Sequence, residues 1–281
     1  MSSRFGEDPF AIREPEETVT RLERFLTTHL EETGARCLVV GMSGGLDSSV
    51  TAALCALAIG GQRVLGINLP EKETRNNKAL EDARLVASKY RMRFKIIDIT
   101  PIVRASQSTL DAKKARGIPW GNVKARLRAA VLYYFANTEH GLVVGTGDKS
   151  EIMLGYFTKF GDGACDIQPL ADLYKTSVRN LARHLGIPER IRVKASSPEL
   201  WPGQTAEKEL GLSYEKLDRI LWGLERWLTP EGIAEETGLK LTLVRRVRER
   251  WLKSEHKRRP PLAMKLGYRT PGDDLRLPRL E

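Results

Sequence analysis

Short apolar segments alternate with segments of helical periodicity through the first half of the chain, and this alternation limits the folds open to it. The apolar segments are residues 37–40, 63–69, 94–99 and 141–145. Residues 47–59, 76–90 and 122–137 lie between them and carry apolar side chains three or four positions apart. The pattern predicts the α/β class, with a parallel sheet flanked by helices on both faces. Ligands of such sheets bind beyond the carboxyl ends of the strands, so the turns after Val40 and Val144 are predicted to face a ligand.

The rest of the chain is predicted to extend this core. Residues 15–33 have the spacing of an amphipathic opening helix, and residues 174–185 are predicted to form another helix. A helical C-terminal part follows over about residues 206–260. We therefore expect residues 1–281 to form a single domain, with the α/β core over about residues 35–190.

The turn after the first predicted strand, residues 41–49, combines glycines, serines and one aspartate. Gly44 and Gly45 allow backbone to approach an anion closely, and the first amides of the following helix point at the same place. Asp47 would repel an anion unless it held Mg²⁺ that bridges phosphate oxygens. The loop therefore predicts a magnesium–phosphate site, although it lacks the GxxxxGK[ST] pattern of a Walker A loop.

Charge and composition narrow the class of partner. The formal net charge of +10 favours acidic partners, which could be nucleotides, nucleic acid or an anionic membrane. The longest apolar stretch, residues 50–59, is too short to span a bilayer, and residues 1–9 do not have the pattern of a secretory signal. We expect a cytoplasmic protein. The three cysteines are scattered without a CxxC pair, which argues against a structural zinc site, a disulfide framework and a redox motif.

Residues 43–48 read Ser-Gly-Gly-Leu-Asp-Ser and resemble the SGGxDS motif of the N-type ATP pyrophosphatase superfamily. The resemblance implies an adenine nucleotide alpha hydrolase-like fold and a nucleotide-binding core. It also implies cleavage of ATP between the α- and β-phosphates, with the released pyrophosphate held in this loop. A substrate carboxylate or enolised carbonyl would be adenylated, and a nucleophile would then displace AMP.

Downstream sequence resembles one family of that superfamily, the ammonia-dependent NAD synthetases. The segments that carry the resemblance are residues 122–128, 145–151, 155–163, 173–176, 200–205 and 256–260. The resemblance covers about residues 15–265 and implies a ligase that joins ATP, deamido-NAD and ammonia to give NAD, AMP and pyrophosphate. It also implies Mg²⁺ as cofactor and a homodimer. Two polyanionic substrates would account for part of the positive charge.

The family resemblance assigns roles residue by residue. ATP contacts are expected at Gly41, Met42, Ser43, Gly44, Gly45, Leu46, Asp47, Ser48, Thr146, Lys175 and Ser197. Asp47 and Glu151 would be the Mg²⁺ ligands, and Lys175 would supply the cation that the loop lacks; these three are the expected catalytic residues. Contacts to deamido-NAD are expected at Arg126, Lys159, Asp166, His256 and Lys257. Residues 196–200 depart from the family pattern, which weakens the assignment of Ser197.

Other functions fit parts of the sequence. Residues 232–239 and 244–248 resemble a helix-turn-helix of a DNA-binding protein, although a packed helix pair is the favoured interpretation. A tRNA-modifying pyrophosphatase would share the loop, but its sulfur-transferring members need reactive cysteines. A non-catalytic nucleotide-binding module would leave Glu151 and Lys175 unexplained. We expect no nucleic-acid or membrane partner. About 35 residues precede the first core strand, too few for an amidase domain, so we expect free ammonia as the nitrogen donor.

Overall fold

A parallel sheet of four strands forms the centre of the protein, whose computed structural model describes residues 8–110, 117–271 and 274–275. The strands are β1 (Cys37–Gly41), β2 (Val64–Asn68), β3 (Arg93–Ile96) and β4 (Gly141–Val144). Their order in the sheet is β3-β2-β1-β4. The chain adds β2 and β3 on one side of β1 and then crosses back to add β4 on the other side of β1. Val40 pairs with Gly66 on one side and Val144 on the other. The strand order thus reverses at β1, where α/β sheets open a binding crevice.

Helices cover both faces of the sheet and build the C-terminal part. In the α/β core they are α1 (Pro15–Thr33), α2 (Leu46–Ile59), α3 (Asn77–Lys89), α4 (Thr100–Thr109), α5 (Gly117–Thr138), α6 (Lys149–Leu154), α7 (Lys175–His184) and α8 (Glu189–Arg192). After them come α9 (Ala206–Leu210), α10 (Tyr214–Glu225), α11 (Pro230–Thr237) and α12 (Leu241–Lys253). The predicted α/β class is confirmed, and so is the helical C-terminal region.

Helix α2 is the centre of the main core because it is enclosed on several sides. Ten of the eleven residues from Leu46 to Ala56 are buried, Asp47 being the exception, and the helix contacts β1, β2, α1 and α7. This explains why the helix carries small or apolar side chains on all sides after its first turn, which a helix exposed on one side would not do. Gly60 ends the helix with a positive φ of 81°. The helix therefore presents its first turn rigidly to the crevice at β1.

The C-terminal helices have a core of their own. Leu217 and Ile220 of α10, Ile233 of α11, and Val244 and Val247 of α12 pack into one buried cluster. Helix α12 thus uses its apolar side for packing and leads directly to the turn that carries His256 and Lys257. This arrangement agrees with the interpretation of the segment as a packed helix pair.

Three helices were absent from the prediction, namely α4, α6 and the four-residue α8, and α5 begins earlier than predicted. Helix α6 spans six residues inside the glycine-rich segment 146–169, too few for an apolar period to show. Helix α4 buries only Thr100 and Val103, and it follows a β3 that ends at Ile96 rather than at residue 99. The Asp98 carboxylate accepts a hydrogen bond from Thr100 N and turns the chain there. Helix α5 begins at Gly117, five residues before the predicted start.

No helix among the described residues is both long and apolar enough to cross a bilayer. Cys37 and Cys55 are buried in the core, and Cys165 is partly buried; all three are free thiols.

Candidate active site

The loop between β1 and α2, which we call the phosphate loop (residues 41–49), continues the sheet before it turns. Met42 N donates to Ile67 O at 2.8 Å, and Asn68 Nδ2 donates to Met42 O at 2.6 Å. The Met42 side chain is buried, and a Cβ on Gly66 would lie 2.3 Å from its sulfur. Met42 therefore offers only backbone to a ligand. Leu46 is buried as well and anchors the first turn of α2 in the core.

The serines of the phosphate loop divide into structural and accessible groups. Ser49 is fully buried, and its hydroxyl donates to Gly45 O at 2.7 Å, which closes the first turn of α2. Ser43 is exposed to the crevice, and its Oγ accepts a hydrogen bond from Gly45 N at 3.2 Å. Ser48 is buried, and its Oγ donates to Gly45 O at 3.2 Å and lies 3.1 Å from Ser43 Oγ. The exposed Ser43 hydroxyl thus faces the place where an anion is predicted, with the Ser48 hydroxyl next to it.

Gly44 makes the turn of the phosphate loop possible in two ways. Its φ of +78° lies in the left-handed region, and a Cβ there would stand 1.9 Å from Ala79 O at the start of α3. Any side chain would therefore push the loop away from α3 in addition to straining the backbone.

We expect Gly44→Ala to lower kcat/KM for ATP at least about tenfold, because the loop amides would no longer converge on the phosphate site. Gly34→Ala is the matched control, since Gly34 has a similar φ of +66° but a Cβ there would meet nothing within 4 Å. It should cost about 1 kcal/mol of stability and leave kinetics unchanged. Steady-state kinetics and thermal denaturation of both variants test this, and equal kinetics for the two would contradict it.

A lysine surrounded by three carboxylates lies beside the phosphate loop. Lys175 Nζ is 2.6 Å from Asp47 Oδ2, 2.7 Å from Asp148 Oδ2 and 2.8 Å from Glu151 Oε1. Lys175 and Asp148 are fully buried, and the side chains of Asp47 and Glu151 are 18% and 19% exposed. We call these four residues the carboxylate–lysine cluster. With one ammonium against three carboxylates, its formal charge when fully ionised is −2.

Burial and mutual repulsion raise the pKa values of two carboxyl groups in this cluster. Burial raises the pKa of Asp148 to about 6, with Lys175 acting in the opposite direction. Burial likewise raises the pKa of Glu151 to about 8, and the neighbouring carboxylates add to the effect. The Lys175 ammonium is held charged by the three acids, so its pKa is well above the usual lysine value in spite of burial. Shifts of this kind are typical of functional sites.

The cluster fits a divalent cation by its donor chemistry. Asp47, Asp148 and Glu151 each offer an oxygen, and these oxygens lie within 4.8 Å of one another. Asp47 Oδ1 is buried without a hydrogen-bond partner, which leaves it free to meet a cation. Hard oxygen donors with excess negative charge are what Mg²⁺ prefers. The predicted metal ligands Asp47 and Glu151 are therefore brought together.

Asp148 and Tyr214 complete this site and had no assigned role in the sequence prediction. Asp148 Oδ1 accepts a hydrogen bond from Glu151 N at 2.9 Å and caps α6, so it positions Glu151 as well as adding a carboxylate. The N-cap spacing before Glu151 was the sequence signal that could have shown it. The Tyr214 ring lies 5.1 Å from Lys175 Nζ and closes the cluster from α10.

A cavity of about 270 Å³ joins the phosphate loop to the cluster. Of the residues predicted to contact ATP, those that line it are Gly41, Met42, Ser43, Gly45, Leu46, Asp47, Ser48, Thr146 and Ser197, and Glu151 lines it too. Lys175 lies behind the carboxylates, and Gly44 lies against α3. Ser197 Oγ accepts a hydrogen bond from Glu199 N at 3.2 Å, so its loop turns locally at this wall of the cavity.

The residues predicted to contact deamido-NAD lie outside the lining of this cavity, and most of them meet each other. Arg126 donates to Lys159 O through Nε and Nη2 at 3.3 and 3.2 Å, and Lys159 Nζ donates to His256 O at 2.8 Å. Lys257 Nζ donates to the carbonyls of Gly155 and Phe157 at 2.8 and 2.7 Å. These four predicted residues thus form a basic cluster around the loop of residues 155–163.

Asp166 does not join that basic cluster through any contact seen in the described residues. Its Oδ2 accepts a hydrogen bond from Val143 N at 2.7 Å, and its Oδ1 accepts one from Tyr133 OH at 3.1 Å. It therefore extends the edge of the sheet beside β4.

Comparison with known proteins decides the family. The NAD synthase family model matches residues 18–261. The chain belongs to the NAD synthase family. It is 47% identical over 243 residues to the NH3-dependent NAD+ synthetase of Hyperthermus butylicus, covering 86% of this chain and 88% of that one. It is 46% identical to the protein of the same name from Methanocaldococcus jannaschii, covering 88% of this chain and 95% of that one. The resemblance seen in the sequence is therefore confirmed, and the enzyme is a ligase that forms a carbon–nitrogen bond.

Solved structures of NAD synthase relatives share the fold. The NMN synthetase of Francisella tularensis superimposes with a TM-score of 0.79 at 32% identity, over 89% of this chain and 98% of that one. An NH3-dependent NAD synthetase from Campylobacter jejuni superimposes with a TM-score of 0.74 at 28% identity, over 89% and 99% of the two chains. These comparisons do not favour the tRNA-modifying or helix-turn-helix alternatives.

Proposed function

We propose that this enzyme amidates deamido-NAD with ammonia and ATP, giving NAD, AMP and pyrophosphate. The observation that carries the proposal is the meeting of the phosphate loop and the carboxylate–lysine cluster in one cavity, in a member of the NAD synthase family. A pyrophosphate leaving group and a divalent cation need these two kinds of group side by side.

The reaction proceeds in two displacements. An oxygen of the nicotinate carboxylate attacks the α-phosphorus of ATP, and the bond to the β-phosphate oxygen breaks to release pyrophosphate. Ammonia then attacks the acyl carbon, AMP leaves with the acyl oxygen, and the nitrogen loses a proton to give the amide. Mg²⁺, when bound by Asp47, Asp148 and Glu151, would neutralise charge on the departing phosphates. The loop amides with Ser43 and Ser48 orient the pyrophosphate end, and Lys175 keeps the carboxylates together.

Binding of deamido-NAD is proposed for the basic cluster of Arg126, Lys159, His256 and Lys257, together with Asp166. The support is electrostatic, since the cluster places cations beside a loop that borders the cavity through Gly161 and Asp162. A pyrophosphate-containing substrate suits such a surface. Thr146 and Ser197 line the cavity and are proposed to contact ATP there.

A homodimer and a cytoplasmic location are proposed on the strength of the family resemblance. Exposed apolar side chains on α4 and α5, namely Ile102, Ile118 and Tyr134, are the support for a subunit contact. Sedimentation equilibrium of the purified enzyme tests the assembly, and a monomer at micromolar concentration would count against it.

A mononucleotide substrate is the second candidate, because the F. tularensis structure with the TM-score of 0.79 is that of an NMN synthetase. The same activation and amidation would then act on a nicotinate mononucleotide. The 47% identity to an NH3-dependent NAD+ synthetase favours the dinucleotide.

The test is a product assay with ATP, Mg²⁺, ammonium chloride and either the dinucleotide or the mononucleotide. We expect NAD, AMP and pyrophosphate in equal amounts, and a kcat/KM for the dinucleotide at least about tenfold above that for the mononucleotide. Glutamine in place of ammonium should give no product. ADP and orthophosphate as products would refute the mechanism, and a preference for the mononucleotide would support the second candidate.

A further inference from the structure

Three carboxylates surround Lys175, the residue predicted to supply a cation to the phosphates. Lys175 is fully buried, and its ammonium contacts three carboxylates at 2.6 to 2.8 Å. Its positive charge is therefore already more than balanced by its neighbours. Pyrophosphate is a concentrated negative charge, and a cationic side chain in contact with it would stabilise it in addition to the Mg²⁺ that these carboxylates would hold.

Lys194 contacts the phosphate loop at Gly44. It lines the cavity, its side chain is 27% exposed, and its Nζ donates to Gly44 O at 3.1 Å. The same ammonium is 3.3 Å from Asp82 Oδ2 on α3. It is thus held against the turn of the loop, next to the backbone that is predicted to receive the pyrophosphate.

The carboxylates near Lys194 do not fully balance its positive charge. Asp82 is buried and is shared with Arg190, whose Nε lies 2.7 Å from Asp82 Oδ1. One carboxylate therefore faces two cations, which leaves a formal charge of +1 on the three groups. Glu199 also interacts electrostatically with Lys194, but it does so with Arg128 as well. The surroundings of the phosphate loop consequently carry excess charge of opposite sign, negative around Asp47 and positive where Lys194 contacts Gly44.

We propose that Lys194 binds the β- and γ-phosphates of ATP and the pyrophosphate formed from them. The Gly44 carbonyl is a weak, neutral partner, and a phosphate oxygen at the loop would replace it with a charge-assisted hydrogen bond. The flexible lysine stem allows this exchange without movement of the backbone. The inference rests on the proposed function, since it assumes that this loop receives the phosphates of ATP.

Calorimetric titration with inorganic pyrophosphate and, separately, with AMP tests the assignment in Lys194→Met. We expect the affinity for pyrophosphate to fall about 10- to 100-fold, the effect of losing one hydrogen bond between charged groups, while the affinity for AMP changes less than about threefold. Lys194→Arg, which keeps the charge, should retain more of the pyrophosphate affinity than Lys194→Met does. Arg190→Met is the matched control, because Arg190 shares Asp82 but its side chain is 62% exposed. It should change pyrophosphate affinity less than about threefold.

Two outcomes would overturn the assignment: unchanged pyrophosphate affinity in Lys194→Met, or an equal loss for pyrophosphate and AMP, which would indicate a structural role. Lys194→Gln provides the same measurement if the methionine variant does not fold. The wild-type product assay separates this inference from the proposed function. Wild-type enzyme that makes NAD, with a lysine variant that binds pyrophosphate normally, would refute only the role of Lys194.

Discussion

Lys175→Met is expected to stop detectable NAD formation and to lower the thermal midpoint of the metal-free enzyme by roughly 6–20 °C. The physical reason is that the substitution leaves Asp47, Asp148 and Glu151 together with no ammonium between them. Removing one partner of a buried ion pair typically costs about 3–5 kcal/mol, and about 2–4 °C of midpoint accompanies each kcal/mol in a chain of this size. Differential scanning calorimetry in EDTA measures the shift directly.

Adding Mg²⁺ should recover part of the loss, since a divalent ion can neutralise the same three oxygens. Lys149→Met is the matched control. Lys149 also bridges two carboxylates, at 2.9 Å from Asp172 and 2.7 Å from Glu225, but these side chains are 95% and 37% exposed. Its replacement should cost about 1 kcal/mol or less. A midpoint for Lys175→Met equal to that of the control would mean that the buried cluster does not stabilise the fold.

Much of the fold could be predicted because it depends on local patterns. Four apolar segments with helices between them are sufficient to indicate a parallel sheet, and the glycines after Val40 mark the phosphate loop. Helix α4 was missed because it buries only two residues, and α6 because it has only six residues, so neither develops an apolar period. Residues in their first turns donate backbone hydrogen bonds to the carboxylates of Asp98 and Asp148, and hydrophobic periodicity does not show such bonds.

The site could be predicted only in part, because its chemistry depends on residues far apart in the sequence. Lys175 and Asp47 are 128 positions apart, yet their charged atoms lie 2.6 Å from each other. A motif can identify each of these residues, but it does not show that three carboxylates surround one lysine and balance its charge. For the same reason, nothing in the sequence separated Lys194 from other surface lysines. Its importance appears only with Gly44 O at 3.1 Å and Asp82 shared with Arg190.

Asp47→Asn should have opposite effects on stability and activity. The cluster carries one ammonium against three carboxylates, so removing one negative charge relieves repulsion in the metal-free protein. We expect its thermal midpoint in EDTA to rise by roughly 2–4 °C, which corresponds to about 1 kcal/mol. At the same time kcat should fall about 10²- to 10³-fold, because a neutral amide neither holds a divalent cation well nor stabilises its charge near the departing phosphates.

The dependence on Mg²⁺ distinguishes this explanation from a simple loss of folding. Wild-type enzyme should be stabilised by millimolar Mg²⁺, whereas Asp47→Asn should gain little. The reason is that Asp47 Oδ1 is buried without a hydrogen-bond partner and is therefore free to bind the ion. Asp172→Asn, which alters a 95% exposed carboxylate, should behave like wild type in both measurements. If Asp47→Asn instead lowered the midpoint in EDTA, the carboxylate would be stabilising the apo fold through Lys175. The excess negative charge of the cluster would then not be the feature that prepares it for a metal ion.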